Sequence, residues 1–126
     1  RKTYPMQAYK IMHGLWGMGQ MMFTKYLVVV DEDVDVHNLS EVMFRLCSNT
    51  EPRRDAVFTK GPADVLDHAT DVVGAGSKLG FDATRKLPGE GFNRPWPPLI
   101  QMDPEVKERC DNLMRQAEIA GRNQNP

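Results

Sequence analysis

The run Asp31-Glu32-Asp33-Val34-Asp35 is the densest group of side chains in this chain that could do chemistry. Clustered carboxylates repel one another unless a cation or a proton joins them, so the run could hold Mg²⁺. It also has the form of an aspartate-based phosphatase motif, in which Asp31 would be the nucleophile and Asp33 the acid/base. The competing interpretation is a solvated loop whose carboxylates cap the next helix and pair with arginines, namely Arg53, Arg54 or Arg85. The local pattern favours this second interpretation.

A glycine-rich stretch at 74–80 contains Ser77 and Lys78 and could cradle a phosphate through its backbone N–H groups. The spacing of a Walker A motif is absent. The alternative is a plain loop whose glycines adopt positive φ angles, and the sequence leaves both interpretations open. The three histidines lack the spacing of zinc ligands. These spacings therefore assign no metal ligand to the histidines.

The elements that must position these residues follow from apolar patterning. The β-branched run from Tyr26 to Val30 predicts a strand buried on both faces, as in a parallel sheet. Asn38 is a good N-cap for a helix that ends near residue 50. Residues 55–59 predict a second strand, which Gly61-Pro62 should break. This strand–helix–strand unit predicts two parallel strands joined by a right-handed crossover.

The remaining segments are mostly helix and loop. Pro5 to Phe23 predicts a helix with a break near Gly17. Residues 79–83 predict a third short strand, and 85–98 predict an ordered loop. Asp103 and Pro104 suit the N-cap and first position of a last helix. Its apolar stripe consists of Val106, Cys110, Leu113 and Ala117.

These elements predict an α/β fold: a small layered domain with a short, mainly parallel sheet flanked by helices and a C-terminal amphipathic helix. We expect one domain over residues 1–126, with a helical lead-in at 1–23, an α/β core and Pro/Gly-rich loop at 24–100, and the last helix at 101–120. A net charge of -1 without a basic stripe argues against nucleic acid as a partner. No apolar segment is long enough to span a bilayer, and two distant cysteines favour a cytoplasmic protein. Peripheral association with a membrane remains compatible with these features.

Several stretches together resemble one known family. They are Met22 to Lys25, Val30 to Val36, Glu51 to Asp55, Asp64 to Ala69, and Gly76 to Thr84 followed by Lys86. In order and spacing they are similar to the C-terminal portion of the UbiD-type carboxy-lyases. That family includes the 3-octaprenyl-4-hydroxybenzoate decarboxylase of ubiquinone biosynthesis.

The resemblance implies a function for a longer protein. Members of the family are several times longer than this chain and are non-oxidative decarboxylases that use prenylated FMN. They also use a divalent metal, Mn or Mg, with K⁺ as a further candidate ion, bound mostly in an upstream domain. This chain would then be the C-terminal domain of an enzyme acting on an aromatic (4-hydroxybenzoate-type) or unsaturated carboxylic acid, and it would be inactive alone. It would contribute cleft closure and subunit contacts in a homo-oligomer.

The resemblance also suggests where this chain would make contacts. The catalytic residues and the metal ligands would lie upstream, so none is assigned in this chain. Lys25 would approach the flavin phosphate or a substrate carboxylate. Four residues would contact the cleft or a neighbouring subunit: Ser77, Lys78, Asp82 and Thr84. Two alternatives stay open. One is a stand-alone oligomerisation or interaction module without catalysis. The other is a Mg-dependent phosphatase-like domain using Asp31 and Asp33.

Overall fold

The computed structural model describes residues 1–122, with side chains described through residue 117. It forms two compact units, Arg1–Trp96 and Pro97–Pro126. The elements are α1 (Gln7–Trp16), a 3₁₀ helix (Gly19–Phe23), β1 (Tyr26–Val29), α2 (Leu39–Asn49), α3 (Pro52–Asp55), β2 (Ala56–Pro62), β3 (Ala75–Asp82) and α4 (Pro104–Arg122). The predicted α/β class is confirmed. No helix within residues 1–122 has both the length and the apolar character needed to cross a membrane.

The three strands form one sheet in the order β1-β3-β2. β1 runs parallel to β3, from the pair Tyr26–Leu79 onward. β2 runs antiparallel to β3, from the pair Ala56–Phe81 onward. The sheet is therefore mixed, and the prediction of a parallel β1–α2–β2 unit is wrong. The connection through α2 and α3 returns the chain to the end of the sheet that β1 leaves, so β2 must run back in the opposite direction.

The glycine-rich stretch that was expected to be a loop forms most of β3. Its glycines are needed for close approach by other elements rather than for turns. A Cβ at Gly76 would lie 2.7 Å from Thr70 Cγ2, and one at Gly80 would overlap Met12 Sδ and lie 3.0 Å from the Trp16 ring. Among the glycines of this stretch, only Gly74, which precedes the strand, has a positive φ, of 80°.

Two further strand predictions are wrong. β1 is an edge strand rather than a doubly buried one, and Tyr26 is 67% exposed on it. An apolar run cannot show whether a second layer covers its outer face. β2 continues through Gly61 to Pro62, which the ladder tolerates because Pro62 ends an edge strand.

One face of the sheet is covered by α1. Ala8, Met12 and Trp16 recur every four residues on this helix and are buried, and Met12 and the Trp16 ring meet the sheet at Gly80. Trp16 Nε1 also donates a hydrogen bond to Thr24 O at 3.0 Å. The break expected near Gly17 is confirmed, because α1 ends at Trp16 and a 3₁₀ helix follows.

The predicted helix caps are confirmed in both units. In the first unit, Asn38 Oδ1 accepts a hydrogen bond from Glu41 N at 3.3 Å, at the start of α2. In the second unit, Asp103 Oδ1 accepts one from Glu105 N at 2.9 Å, at the start of α4. The apolar stripe of α4 is exposed along its described length: Val106, Cys110, Leu113 and Ala117.

Candidate functional site

A buried ion network occupies the carboxyl end of β3. Its members are each at most 8% exposed: Lys2, Asp55, Asp82, Thr84, Lys86 and Glu90. Asp82, the last residue of β3, is its centre. The Asp82 carboxylate lies 3.4 Å from Lys2 Nζ and 3.3 Å from Lys86 Nζ, and it accepts a hydrogen bond from Thr84 N at 3.0 Å. Asp82 and Thr84, which were predicted to contact the cleft or a neighbouring subunit, both lie in the interior.

Glu90 joins the network to the segment that precedes α1. Its Oε2 lies 2.6 Å from Lys2 Nζ and accepts a hydrogen bond from Leu87 N at 2.7 Å. Its Oε1 accepts one from Met6 N at 2.7 Å. Met6 has a φ of 64°, which is rare for a residue other than glycine. Glu90 therefore fixes the lead-in segment and the loop after β3 with a single side chain.

Asp55 completes the network at the end of α3. It lies 3.2 Å from Lys86 Nζ and receives two hydrogen bonds from Arg54, at 2.9 and 2.6 Å. Counting Arg54, three cations face three carboxylates. Since a buried charge is tolerated only when it is paired and hydrogen-bonded, each member of the network depends on its partners, and removing one would leave a buried charge unpaired.

The network makes stability depend on acid pH. Burial alone would raise the pKa of Glu90, but hydrogen bonds from Leu87 N, Lys2 and Met6 N lower it below its usual range. Burial would likewise raise the pKa of Asp55, but hydrogen bonds from Arg54 and Glu51 N and the charge of Lys86 lower it.

We expect these two carboxylates to stabilise the folded chain above the unfolded-state pKa values of about 4, and to lose that contribution as the pH falls further. Urea unfolding of the parent and of Glu90→Gln at pH 7 to 3 measures this. The difference in unfolding free energy between the two proteins should shrink below about pH 4. A difference that stays constant across this range would contradict the expectation.

The acidic run after β1 does not converge on a metal site. Asp31 Oδ2 accepts a hydrogen bond from Arg85 N at 2.7 Å, and Asp33 Oδ2 lies 3.0 Å from Arg45 Nη2. Within the described part of the chain, no three His, Cys, Asp or Glu side chains are placed to hold a metal ion. The run thus fits the loop-and-pairing interpretation, with Arg45 as a side-chain partner besides the predicted arginines.

A cleft of about 800 Å³ opens at the edge of the sheet beside the first half of β3, which precedes the part of β3 that is paired with β1. Three of the predicted contact residues line it together: Lys25, Ser77 and Lys78. Its other walls are Tyr26, Phe58, Lys60, Gly61, 69–72, Ala75, Gly76 and Leu79. Predicted contact residues meet open space here.

The three lysines of the cleft, Lys25, Lys60 and Lys78, differ in their surroundings. Lys25 Nζ lies 2.6 Å from Asp67 Oδ2, and its side chain is 34% exposed. Lys78 is 3% exposed and donates hydrogen bonds to Pro62 O at 2.8 Å and Thr24 O at 3.3 Å. No carboxylate within the described residues lies within 4.0 Å of Lys78 Nζ, and burial lowers its pKa. Lys60 is exposed, so Lys25 and Lys60 are the lysines that a ligand can reach, whereas the ammonium group of Lys78 is held by backbone carbonyls.

The sheet face opposite α1 forms the floor of the cleft. Strand pairing places Tyr26, Leu79 and Phe58 side by side across the three strands, and we call these three residues the aromatic row. Tyr26 and Phe58 are 67% and 77% exposed. Ser77 lies two residues before Leu79 on β3 and is paired with Lys60, and we call these two residues the polar row. Because side chains alternate along a strand, both rows lie on the same face.

Comparison with known proteins identifies the family. The family model of the 3-octaprenyl-4-hydroxybenzoate carboxy-lyase C-terminal domain matches residues 1–83. The chain belongs to this family of UbiD C-terminal domains. The match covers α1, the whole sheet and Asp82, and so contains both the cleft and the centre of the buried ion network.

Solved structures of longer proteins contain the same domain. The vanillic acid decarboxylase of Sedimentibacter hydroxybenzoicus in its closed form is 30% identical, with a TM-score of 0.75 over 88% of this UbiD C-terminal domain and 24% of that chain. Its open form gives 30% identity and a TM-score of 0.72 over 89% and 25%. The UbiD-class enzyme HmfF of Pelotomaculum thermopropionicum, in complex with FMN, is 25% identical, with a TM-score of 0.65 over 85% and 23%.

Sequence relatives show the same relation of length. An uncharacterized protein of Aquifex aeolicus is 45% identical over 113 residues, which are 90% of this domain and 23% of that protein. One of Archaeoglobus fulgidus is 43% identical over 114 residues, or 90% and 24%. The chain spans about a quarter of the length of the relatives that it matches.

Proposed function

We propose that this chain serves as the C-terminal domain of a non-oxidative decarboxylase acting on an aromatic, 4-hydroxybenzoate-type, or unsaturated carboxylic acid. The match to the family model over residues 1–83 carries the proposal. The similarity to a vanillic acid decarboxylase and to HmfF supports it. In this proposal the enzyme is cytoplasmic, with peripheral membrane contact as an option, and the substrate belongs to the quinone-precursor class.

The cofactor of the proposed enzyme is prenylated FMN with a divalent metal, Mn or Mg, and K⁺. When bound, the flavin accepts the electron density released as CO₂ leaves. The described residues of this chain offer no set of metal-ligating side chains, so the metal would be held elsewhere in the enzyme. What this domain offers a flavin is Lys25, an accessible cation at the rim of the cleft. A lysine ammonium suits a phosphate group.

The test of the proposed activity is turnover by the long polypeptide beside this chain alone. We expect CO₂ release from 4-hydroxybenzoate-type acids only from the long polypeptide reconstituted with prenylated FMN and Mn²⁺. Full activity of the 126-residue chain by itself would overturn the proposal that it is one domain of the enzyme.

The proposed role of Lys25 predicts a loss of cofactor affinity. Replacing Lys25 with methionine in the long polypeptide should weaken flavin binding by about tenfold or more, because a charge-assisted hydrogen bond contributes about 1.5–3 kcal/mol. Quenching of flavin fluorescence measures the dissociation constant. Lys25→Arg should retain most of the affinity, and Lys107→Met, on exposed α4, should leave it unchanged.

A purely structural role for Lys25 has a different outcome. Lys25 also holds Asp67, and its hydrogen bond lowers the pKa of that carboxyl group. If Lys25→Met lowers the melting temperature but leaves flavin affinity unchanged, its role is to fix the 67–72 segment. Asp67→Asn separates the two roles, since it removes the ion pair but keeps the Lys25 cation.

Subunit contact is the second part of the proposal. The exposed α4 stripe includes Val106 and Leu113, at 50% and 56% exposed, and a long exposed apolar helix face favours association. This stripe also favours the alternative of a stand-alone oligomerisation module. Sedimentation of the 126-residue chain decides this point, since a strict monomer at high concentration would remove both the module and the α4 contact.

A further inference from the structure

Lys78 carries a buried amino group that the proposed function does not use. The residue is only 3% exposed, although a lysine is almost never fully buried unless it is paired. Within the described residues it has no carboxylate partner, and burial lowers the pKa of its ammonium group. Burial without a counter-charge favours the neutral form of a lysine.

The side chain of Lys78 is held in one place at the wall of the cleft. Because side chains alternate along a strand, Lys78 lies on the same face of β3 as Gly80, the face that α1 covers. It passes over β2 at Gly61, where an added Cβ would lie 2.9 Å from Lys78 Cε. Its Nζ then donates hydrogen bonds to Pro62 O at 2.8 Å and to Thr24 O at 3.3 Å. The amino group is thus fixed between the end of β2 and the segment that precedes β1.

The two carbonyl acceptors match the two N–H bonds of a neutral amino group. An ammonium group has a third N–H bond, for which the described residues offer Lys78 no acceptor. A buried donor without an acceptor is costly, so the hydrogen bonding favours the neutral form as well. A neutral amine held in this way keeps its lone pair, which makes a lysine nucleophilic.

The cleft supplies the room and the charge for a small adduct on this amine. Lys78 is one of the residues that line its volume of about 800 Å³, together with Lys25, Lys60 and Asp71. Lys60 is exposed and has no carboxylate partner among the residues whose side chains are described. An anion formed on Lys78 would therefore have a cation in the same cleft, which stabilises it.

We propose that Lys78 is a carbamylation site, at which the neutral amino group adds CO₂ to form a carbamate. The Nζ lone pair forms the new N–C bond as one C=O π bond of CO₂ opens, and one Nζ proton leaves to water. The adduct places a negative charge in the cleft and so weakens the binding of other anions there. The inference rests on the proposed function for the source of CO₂, whereas the reaction itself is a property of this chain.

The surrounding carbonyls remain paired after this reaction. A carbamate nitrogen retains one N–H bond, and Pro62 O, at 2.8 Å, is its nearer acceptor. Thr24 O also accepts a hydrogen bond from Trp16 Nε1 at 3.0 Å, so it keeps a partner without Lys78. The modification therefore leaves neither carbonyl unsatisfied.

The experiment exposes the 126-residue chain to ¹³C-labelled CO₂ and bicarbonate at neutral pH and traps carbamates by alkylation with triethyloxonium. Peptide mass spectrometry then locates each labelled ethyl carbamate. The exposed lysines Lys60 and Lys107 are the internal references. We expect the occupancy of Lys78 to exceed theirs by about tenfold or more, because burial keeps a larger share of its amino group neutral.

Two controls test whether the enclosure of Lys78 causes this reactivity. In Gly61→Ala the new Cβ displaces Lys78 Cε, so the excess occupancy of Lys78 should fall toward that of Lys60. Gly14→Ala is the matched variant, since a Cβ there meets nothing within 4 Å, and it should leave the occupancy unchanged. Circular dichroism reports whether each variant is folded. If Gly61→Ala fails to fold, the parent chain unfolded in urea gives the second measurement, and its excess should vanish.

Three results would overturn the inference: an occupancy of Lys78 no higher than that of Lys60, an excess that persists in folded Gly61→Ala, or one that survives unfolding in urea. None of them bears on decarboxylation by the long polypeptide. Conversely, a carbamate on Lys78 without turnover by the long polypeptide would remove the proposed source of CO₂ and leave the site in place.

Discussion

Asp82→Ala should lower the free energy of unfolding by about 3–5 kcal/mol, the cost of leaving buried charges without their partner. Asp82 is 1% exposed and faces Lys2 and Lys86, whose ammonium groups are buried with it. Its removal also takes the acceptor from the Thr84 amide. Urea unfolding followed by circular dichroism measures the change. If the variant fails to fold, Thr84→Val gives a graded measurement, with an expected loss of about 1 kcal/mol from the same network.

The matched control is Asp71→Ala. Asp71 is exposed at the rim of the cleft, and its loss should change the unfolding free energy by less than about 0.5 kcal/mol. A loss below about 1 kcal/mol for Asp82→Ala would show that water replaces the carboxylate, and the network would then not be a stabilising core.

Gly80→Ala should destabilise the first unit by about 1–3 kcal/mol, the usual cost of overpacking. The added Cβ would overlap Met12 Sδ and lie 3.0 Å from the Trp16 ring, and Met12 is fully buried between α1 and the sheet. α1 must therefore shift away from β3. Thermal unfolding followed by tryptophan fluorescence reports the change in stability and the altered surroundings of Trp16.

Gly14→Ala is the control of opposite sign. Gly14 lies inside α1, and a Cβ there meets nothing within 4 Å. Alanine should stabilise the helix by about 0.4–1 kcal/mol because it restricts the unfolded chain. The double variant Gly80→Ala with Met12→Ala makes room for the new methyl group. If the effects of Met12→Ala and Gly80→Ala on the unfolding free energy are additive in the double variant, the new methyl group does not clash with Met12.

Local sequence patterns correctly predicted the features that depend on interactions between neighbouring residues. Asn38 and Asp103 are N-caps, the helix break follows Trp16, and the 85–98 segment has no regular structure. Each depends on a few neighbouring residues, so a single sequence contains the information. The structure places Lys25, Ser77 and Lys78 in one cleft, and the contacts that the resemblance implies for them stay predictions.

The long-range features were not accessible in the same way. The position of β3 between β1 and β2 depends on which strands pair. The glycines of β3 suggested a loop, because the sequence does not show that they make room for Met12 and Thr70. The buried ion network was not predicted, because Lys2 and Glu90 are 88 residues apart and because lysine and glutamate usually lie on the surface. The segment from Asp82 to Glu90 is rich in charged residues, and only the fold shows that Asp82, Lys86 and Glu90 point inward.

Lys2 gives the lead-in segment a mechanical role. A pull on the chain ahead of α1 would be transmitted through Lys2 Nζ to Asp82 at the end of the central strand and to Glu90 in the following loop. The Met6 amide provides a second attachment to Glu90, four residues later. Such a force would act on the central strand of the sheet, and it would not simply unfold the first turn of α1. Residues 1–6 are therefore fastened at two points to the end of β3 and to the loop that follows it.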